Sequence, residues 1–554
     1  MTNTYRNKKS NQIYLWLSRC VFTRTYVQRV RKRYEIVLPG QEEQIIRNTM
    51  LTIVIGCMLS ILEFGIICMF RPSIFQGVLA IVLAIILHNE VITTFIRVLE
   101  LRILRQFEKF ITDVRHYYYS SHMVDEAILD ALDTVPPELH AHAEKFYEIL
   151  TADTSEDLLE KYETTTYNSY FHLFLALCMT VYEYGDREIG DKSLFQLNLS
   201  NLKLEINLEI LKLKQLSYIF SGLILVTVVP ITLLKVIEHW ALSNLPELVL
   251  FYHGFIGTVI TIVIAAITMV VYFVIQELRE YQIYQSREYV VIDELLSKSI
   301  VQRCLNHYMM KRRSKVNRLS YKIKNGNESF SIQQFLILKF LWFLSSFLCF
   351  LLIGITTSIQ SNKLFHWYEF VCVILFAYLC SQIPDLKLYF HRKMREMSKE
   401  DEVVRFQSIV LMLMYIERMT VIEILERVEE FSKIYRKQLQ TCINNYNYSE
   451  VQALEELKMS DSDYGFRRFV DQLLIADEIG IEKAFDEVAT DRQYFQEKRK
   501  QENQINLEKR GALAKFIAYI PAVVVIGGYL ILPFIMECYR QLNSYSKMMQ
   551  SFMD

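Results

Sequence analysis

The chain has 554 residues, of which 52% are hydrophobic and 22% charged, an apolar content that excludes a disordered protein. Only 16 Gly and 9 Pro argue against a β-rich or loop-rich chain. With 61 basic and 62 acidic residues the net charge is −1, while mean hydropathy is +0.16, so apolar and charged residues must be segregated along the chain.

Residues 1–49 form a basic arm, with ten Lys or Arg against three acids. Seven apolar runs follow: Met50–Phe70, Gly77–Val98, Leu216–Ile237, Leu250–Gln276, Phe335–Ile359, Trp367–Phe390 and Ala512–Tyr539. A bilayer crossing takes about 20 residues and must be helical, because lipid offers the backbone no hydrogen-bond partners. The second run is the weakest, since it meets His88, Asn89 and Glu90. The first starts too late, behind a basic arm and with no small-residue cleavage site, for a cleavable signal peptide. Retention of positive charge places the N-terminus in the cytoplasm. The expected outer loops, near 71–76, 238–249 and 360–366, carry only Arg71 and Lys363 as basic residues.

The predicted fold is therefore an all-α polytopic membrane protein with about seven transmembrane helices and two cytoplasmic helical-bundle domains. Its parts are transmembrane hairpins at 50–98, 215–276 and 335–390, helical domains at 99–214 and 391–511, and a basic linker at 277–334. A last transmembrane helix at 512–540 and an outer tail at 541–554 complete the chain. The linker holds Lys311, Arg312, Arg313, Lys315, Arg318, Lys322 and Lys324. Cysteine adds little: ten are scattered, no CxxC occurs, and thiols within or beside the spans read as small hydrophobes.

In the first helical domain Phe107, Phe110, Ile111, Val114, Tyr117 and Tyr118 recur at helical steps, as do Val403, Phe406, Ile409, Val410, Leu413 and Met414 in the second. Pro136-Pro137 breaks the first after one hairpin. The two domains read as a repeat. A shift of 296 lays Phe110 on Phe406, Val114 on Val410, Met123 on Met419 and Ile128-Leu129 on Ile424-Leu425, and a shift of 295 lays Glu183-Tyr184-Gly185 on Glu478-Ile479-Gly480.

The second domain contains Phe469-Val470, Leu473, Ala476, Gly480, Ala484-Phe485 and Val488-Ala489, then a charged helix with Arg492, Lys498 and Arg499, then a span with Pro521 and Pro533. This resembles the type II secretion system F family, especially Tad-type pilus assembly platform proteins. The first domain resembles it through Gly185 and the span with Pro230, so that two F-type domains lie in one chain over roughly 90–240 and 390–540. The family often has glycine at the turn ending the first helix, where this chain has His122 and Arg418. The resemblance implies a non-enzymatic platform in a bacterial cytoplasmic membrane. Its partners would be a separate cytoplasmic assembly ATPase, pilin-like membrane subunits, the lipid bilayer and further copies of itself.

No catalytic, cofactor or metal motif is found. GxxxxGK[ST], HExxH, GxSxG and GxGxxG are absent, and Gly190-Asp191-Lys192-Ser193 sits in a helical context with no strand before it. His140 and His142 read as a surface pair, His116 and His122 share no face cleanly, and Asp125-Glu126 and Glu429-Glu430 read as solvated helix surface. Charges inside spans say more, since a central Asp, Lys or Arg costs about 2.5–3.5 kcal/mol to insert. Glu63, Glu90, Lys235 and Lys339 are the candidate intramembrane polar contacts, with snorkelling as the alternative for the two lysines. Gly185 and Gly480 are the candidate family-like turn positions.

Segment 99–214 holds 21 acids and 11 bases, net −10, and the linker 277–334 is net +5. Anionic lipid should repel the former and attract the latter. Nucleic-acid binding is not expected, because the basic residues are juxtamembrane and no basic reading helix or stacking motif accompanies them. The alternative function is a membrane transporter or permease subunit, against which the spans contain few polar residues suited to a pathway. A membrane-bound sensor or enzyme is the third reading. Gln504–Lys515 carries no proline between the charged helix and the last span, and Gly511 is its one expected flexible position.

Overall fold

The computed structural model describes residues 14, 21–38, 40–68, 74–152, 158–159, 161–162, 166, 168–189, 192–252, 254–279, 295–326, 331–361, 367–414, 419–486 and 492–553. Arg71, Lys363, Arg418, Val488 and Ala489 lie outside them. In chain order the main helices are α1 (Val21–Val37), α2 (Glu42–Cys68), α3 (Ile74–Ser121), α4 (Val124–Leu132), α5 (Pro137–Thr151), α6 (Ser169–Tyr184), α7 (Leu194–Ser221), α8 (Leu223–Thr232) and α9 (Leu234–Asn244). There follow α10 (Phe255–Arg279), α11 (Ser299–Lys311), α12 (Arg313–Gly326), α13 (Ile332–Ser361), α14 (Trp367–Cys380), α15 (Ile383–Leu413), α16 (Val421–Phe431) and α17 (Arg436–Tyr446). The last are α18 (Glu450–Met459), α19 (Tyr464–Ile479), α20 (Arg492–Ala518), α21 (Ile520–Val524) and, after a π-helical turn at Val525–Ile531, α22 (Leu532–Met553). Among the described residues the strands are one antiparallel pair, β1 (Glu188–Ile189) and β2 (Lys192–Ser193). Lys192-Ser193 thus lies in a hairpin, where a helical context was expected.

Among the described residues, five stretches are long and apolar enough to cross a membrane: Glu42–Gly65, Leu194–Asn244, Val259–Gln276, Val373–Leu413 and Lys500–Gln550. Each overlaps one expected span. The expected span Gly77–Val98 falls inside the unbroken α3, and Phe335–Ile359 inside α13, which contributes the shorter apolar helix Ile332–Leu348. The chain is thus all-α, with helices of membrane-crossing length.

The chain divides into two compact units. One comprises 1–60, 84–215 and 399–505, and contains the described parts of the first expected helical domain and most of the second, whose ends at 391–398 and 506–511 fall in the other unit. Its first half is built on an aromatic core in which Phe107 meets Phe171 at 4.5 Å between ring centroids and Phe174 at 5.6 Å, with Phe110 and Phe146 beside them. In its second half Phe406 packs on Phe469, and Tyr435 stacks flat on Phe466 at 3.9 Å. The basic arm is part of the same unit: Val27 of α1 packs with Met50 and Ile53 of α2, and the Tyr34 and Thr52 hydroxyls are 2.6 Å apart.

The halves repeat one design. α6 and α19 are 16 residues each, and each opens with an Asx cap at a shift of 295: Asn168 accepts from the Tyr170 amide and Asp463 from the Phe466 amide. Burial corrects the register of one element. Leu129, laid on Leu425 by the 296 shift, is 47% exposed, whereas Leu425 is buried. Aligning buried faces instead puts Val124, Ala127, Ile128 and Ala131 on Val421, Ile424, Leu425 and Val428, a shift of 297. Between these registers the second half thus carries one residue more in sequence than the first.

The other unit comprises 61–83, 216–398 and 506–554. It holds the helical hairpin α13–α14 and the packed set α8, α10 and α21. Near the start of α13, Phe335 joins Ile323 of α12 and Leu388 of α15 in a small apolar cluster.

Candidate functional site

Gly185 and Gly480 end α6 and α19 in the same way. Each adopts positive φ, +81° and +90°, and donates its amide to the carbonyl four residues back, Val181 and Ala476. No neighbour lies within reach of an added Cβ at either, so backbone conformation, not space, requires glycine. His122, just after α3, also takes positive φ, +54°, with its amide on the Tyr118 carbonyl. Arg418 lies outside the described residues.

The two intramembrane lysine candidates have acidic partners. Lys235 Nζ is 2.6 Å from Glu238 Oε1, and the other oxygen of that buried carboxylate accepts from Tyr529 Oη at 2.9 Å. Tyr252 Oη donates to the Tyr529 carbonyl at 2.9 Å. Sequence explains why that carbonyl needs a donor: residue 533 is proline, with no N–H to offer the residue four back. The π-turn and this four-residue polar clamp therefore belong together. Farther along, Gln541 donates to Glu247 at 2.6 Å. Lys339 Nζ meets Asp385 at 2.5 Å and Gln382 at 3.2 Å.

Glu63 differs. It is buried, and neither carboxylate oxygen has a hydrogen-bond partner among the described residues. Glu90 is half-buried and accepts from Thr94 at 3.5 Å. His88, which weakens the second apolar run, is placed by the structure against α2, where Nδ1 lies 3.1 Å from Ser60 Oγ and Nε2 lies 3.9 Å from Cys57 Sγ.

A second polar site joins the halves of the first unit. Arg405 Nη2 on α15 lies 3.3 Å from Glu209 Oε2 on α7 and 3.6 Å from Asp401 Oδ2, which also takes Lys212 Nζ at 2.8 Å. Alongside, Ser169 Oγ donates to the Glu430 carbonyl at 3.1 Å, His172 Nδ1 is 3.6 Å from Glu430 Oε2, and Tyr170 meets Phe431 edge-on at 5.5 Å. Glu429 takes Arg436 at 2.6 Å. The Glu429-Glu430 pair expected on solvated surface is instead tied down on both sides.

One position adapts to its partner between halves. Glu402 is buried and accepts from Ser432 Oγ and from the amides of Lys433, Ile434 and Tyr435 just before α17. Its counterpart at the 296 shift is Gln106. The chain entering α5 there reads Pro136-Pro137, which has no amides to satisfy, and Gln106 Nε2 donates to Glu138 at 3.0 Å instead.

His140 is exposed beside Glu144, as a surface residue should be, but His142 is buried at 3% exposure, with Nδ1 2.8 Å from Tyr162 Oη. Burial pulls its imidazole down to about 4, so it is neutral. The signal in the sequence was its place in the Leu139, Ala143, Phe146 face of α5. Gly511, expected to be flexible, is helical, and an added Cβ there would lie 3.0 Å from Ile219 Cγ2. Among the described residues no group of three His, Cys, Asp or Glu is placed to hold a metal ion. No protein-family description, curated protein or solved structure matches the chain.

Proposed function

We propose that the chain is the inner-membrane platform of a type II secretion or type IV (Tad-like) pilus assembly machine, coupling a separate cytoplasmic ATPase to the assembly of pilin-like subunits. The observation that supports this reading most is the duplicated α6/α19 helix, capped by Asx at one end and by a positive-φ glycine at the other. It lies in the stretches that carry the resemblance to F-type domains. In this reading seven spans anchor the chain, and the two helical halves lie in the cytoplasm with the N-terminus. The halves receive a push or rotation from the motor. Transmission needs no catalytic residue, only continuity, and α20 is one helix through Gln504–Lys515. A transporter or permease subunit is the second reading, favoured by the buried carboxylate of Glu63, which has no hydrogen-bond partner among the described residues.

The test is purification of the full chain from its native membrane. The platform reading expects an assembly ATPase and a small pilin-like protein to copurify. Their absence, together with solute flux in reconstituted vesicles, would replace it with the second reading. Cysteines introduced at Lys145 and Glu450 should resist a membrane-impermeant reagent in intact cells. Labelling there from outside would overturn the orientation.

A further inference from the structure

The seam between the halves is built from different faces. The first half contributes α6 and α7, through Ser169, His172, Glu209 and Lys212, and the second contributes α15 and α16, through Asp401, Arg405 and Glu430. Such a heterologous contact uses one face of each repeat and leaves the counterpart of each face over. The repeat register shows where those counterparts are. Asp401 and Arg405 correspond to Arg105 and Lys109 at the 296 shift, and Glu430 and Phe431 to Asp133 and Thr134 at the 297 shift. Asp401 and Arg405 are 9% and 8% exposed, whereas all four counterparts are exposed.

The reverse holds on the other side. At the 295 shift Ser169, His172 and Leu173 correspond to Tyr464, Arg467 and Arg468. His172 and Leu173 are buried, yet Tyr464 is 80% exposed and Arg467 and Arg468 are exposed. The residues facing each half's own core do not differ: Phe171 and Phe174 are buried, as are Phe466 and Phe469. The change in exposure is therefore confined to the seam face. Ile475, in the next turns of α19, adds apolar area there at 47% exposed.

The charges left over match as well. Inside the chain His172 faces Glu430, and their counterparts are Arg467 and Asp133, a stronger pair of the same sign order. Arg405 faces Glu209 on α7, and its counterpart Lys109 is left exposed.

We propose that a second copy of this chain docks on these faces, with α19 of one chain seated on α3 and α4 of the next through Arg467 and Asp133. This does not rest on the platform reading, since it follows from the repeat and its seam alone.

Two differently tagged full-length chains, one with Asp133→Cys and one with Tyr464→Cys, are coexpressed with Cys57 and Cys538 replaced by Ala, and membranes are oxidised. A disulfide joining the two tags is expected, and its absence, while Ser169→Cys with Glu430→Cys still closes within one chain, overturns the proposal. In otherwise native chains Asp133→Arg or Arg467→Asp should each lower self-association about tenfold, and both together should restore it. Self-association indifferent to all three variants would also overturn it.

Discussion

Arg405 offers the sharpest test of how the two halves hold together. Its guanidinium faces Glu209 and Asp401 at 3.3 and 3.6 Å, and its loss removes the cation that meets both carboxylates, while Lys212 stays 2.8 Å from Asp401. Replacement by Met keeps the length of the side chain and removes the charge. Breaking a buried ion pair by removing one partner costs about 3–5 kcal/mol. For a unit of this size that lowers the melting temperature by roughly 10 °C. Lys145–Glu148 supplies the control: it is shorter, at 2.5 Å, but both side chains are about half exposed, so Lys145→Met should cost under about 0.5 kcal/mol. The assay is thermal unfolding of the detergent-solubilised full chain, with Glu209→Gln combined to close a double-mutant cycle. The double variant should recover part of the loss, because it leaves one buried carboxylate fewer without a partner. An Arg405→Met protein melting within a degree or two of wild type would refute the claim that burial makes this network matter.

Four further outcomes are expected. Tyr529→Phe should destabilise the detergent-solubilised chain by about 0.6–1.7 kcal/mol, the scale of polar contacts between membrane helices, with Glu238→Ala worse because it strands Lys235; equal, negligible losses would speak against the clamp. The unfolded histidine protonates below about pH 6.5, whereas folded His142 resists until about 4. Stability is therefore full above pH 6.5 and declines by about 3 kcal/mol toward pH 4, a slope that His142→Leu should flatten in pH-resolved melts. Gly480→Ala and Gly185→Ala should each cost about 1–2 kcal/mol through left-handed strain, while Gly527→Ala, with open space and no positive φ, should cost less. Under the platform proposal, Glu63→Gln should cut assembly output without changing protein level; wild-type output would retire a functional role for that carboxylate.

The sequence was most legible where one residue type has one physical use. Apolar runs near 20 residues can only be helices in lipid, and five of them reappear as helices of crossing length. Gly185 and Gly480 stood out because positive φ has few other tenants, and both occupy it. Partnering was less visible. Lys235 looked able to snorkel because nothing in the sequence links it to Tyr529, 294 positions on, through Glu238. Glu429-Glu430 looked solvated because the contact that fixes Glu430 comes from the other half of the chain. The register of α4 against α16 was misread by one residue because both shifts place an aliphatic residue on an aliphatic residue, and only burial tells the two alignments apart.

The exchange of Glu402 for Gln106 bears on how the halves have diverged. A carboxylate that satisfies three amides has no use opposite a proline pair, so neither residue can be moved to the other half without its partner segment. Chimaeras that swap one half for the other should therefore tolerate exchange of the entire helix-to-helix block and fail when the crossover falls between residue 106 and residue 136. Likeness of the two halves does not make them interchangeable parts.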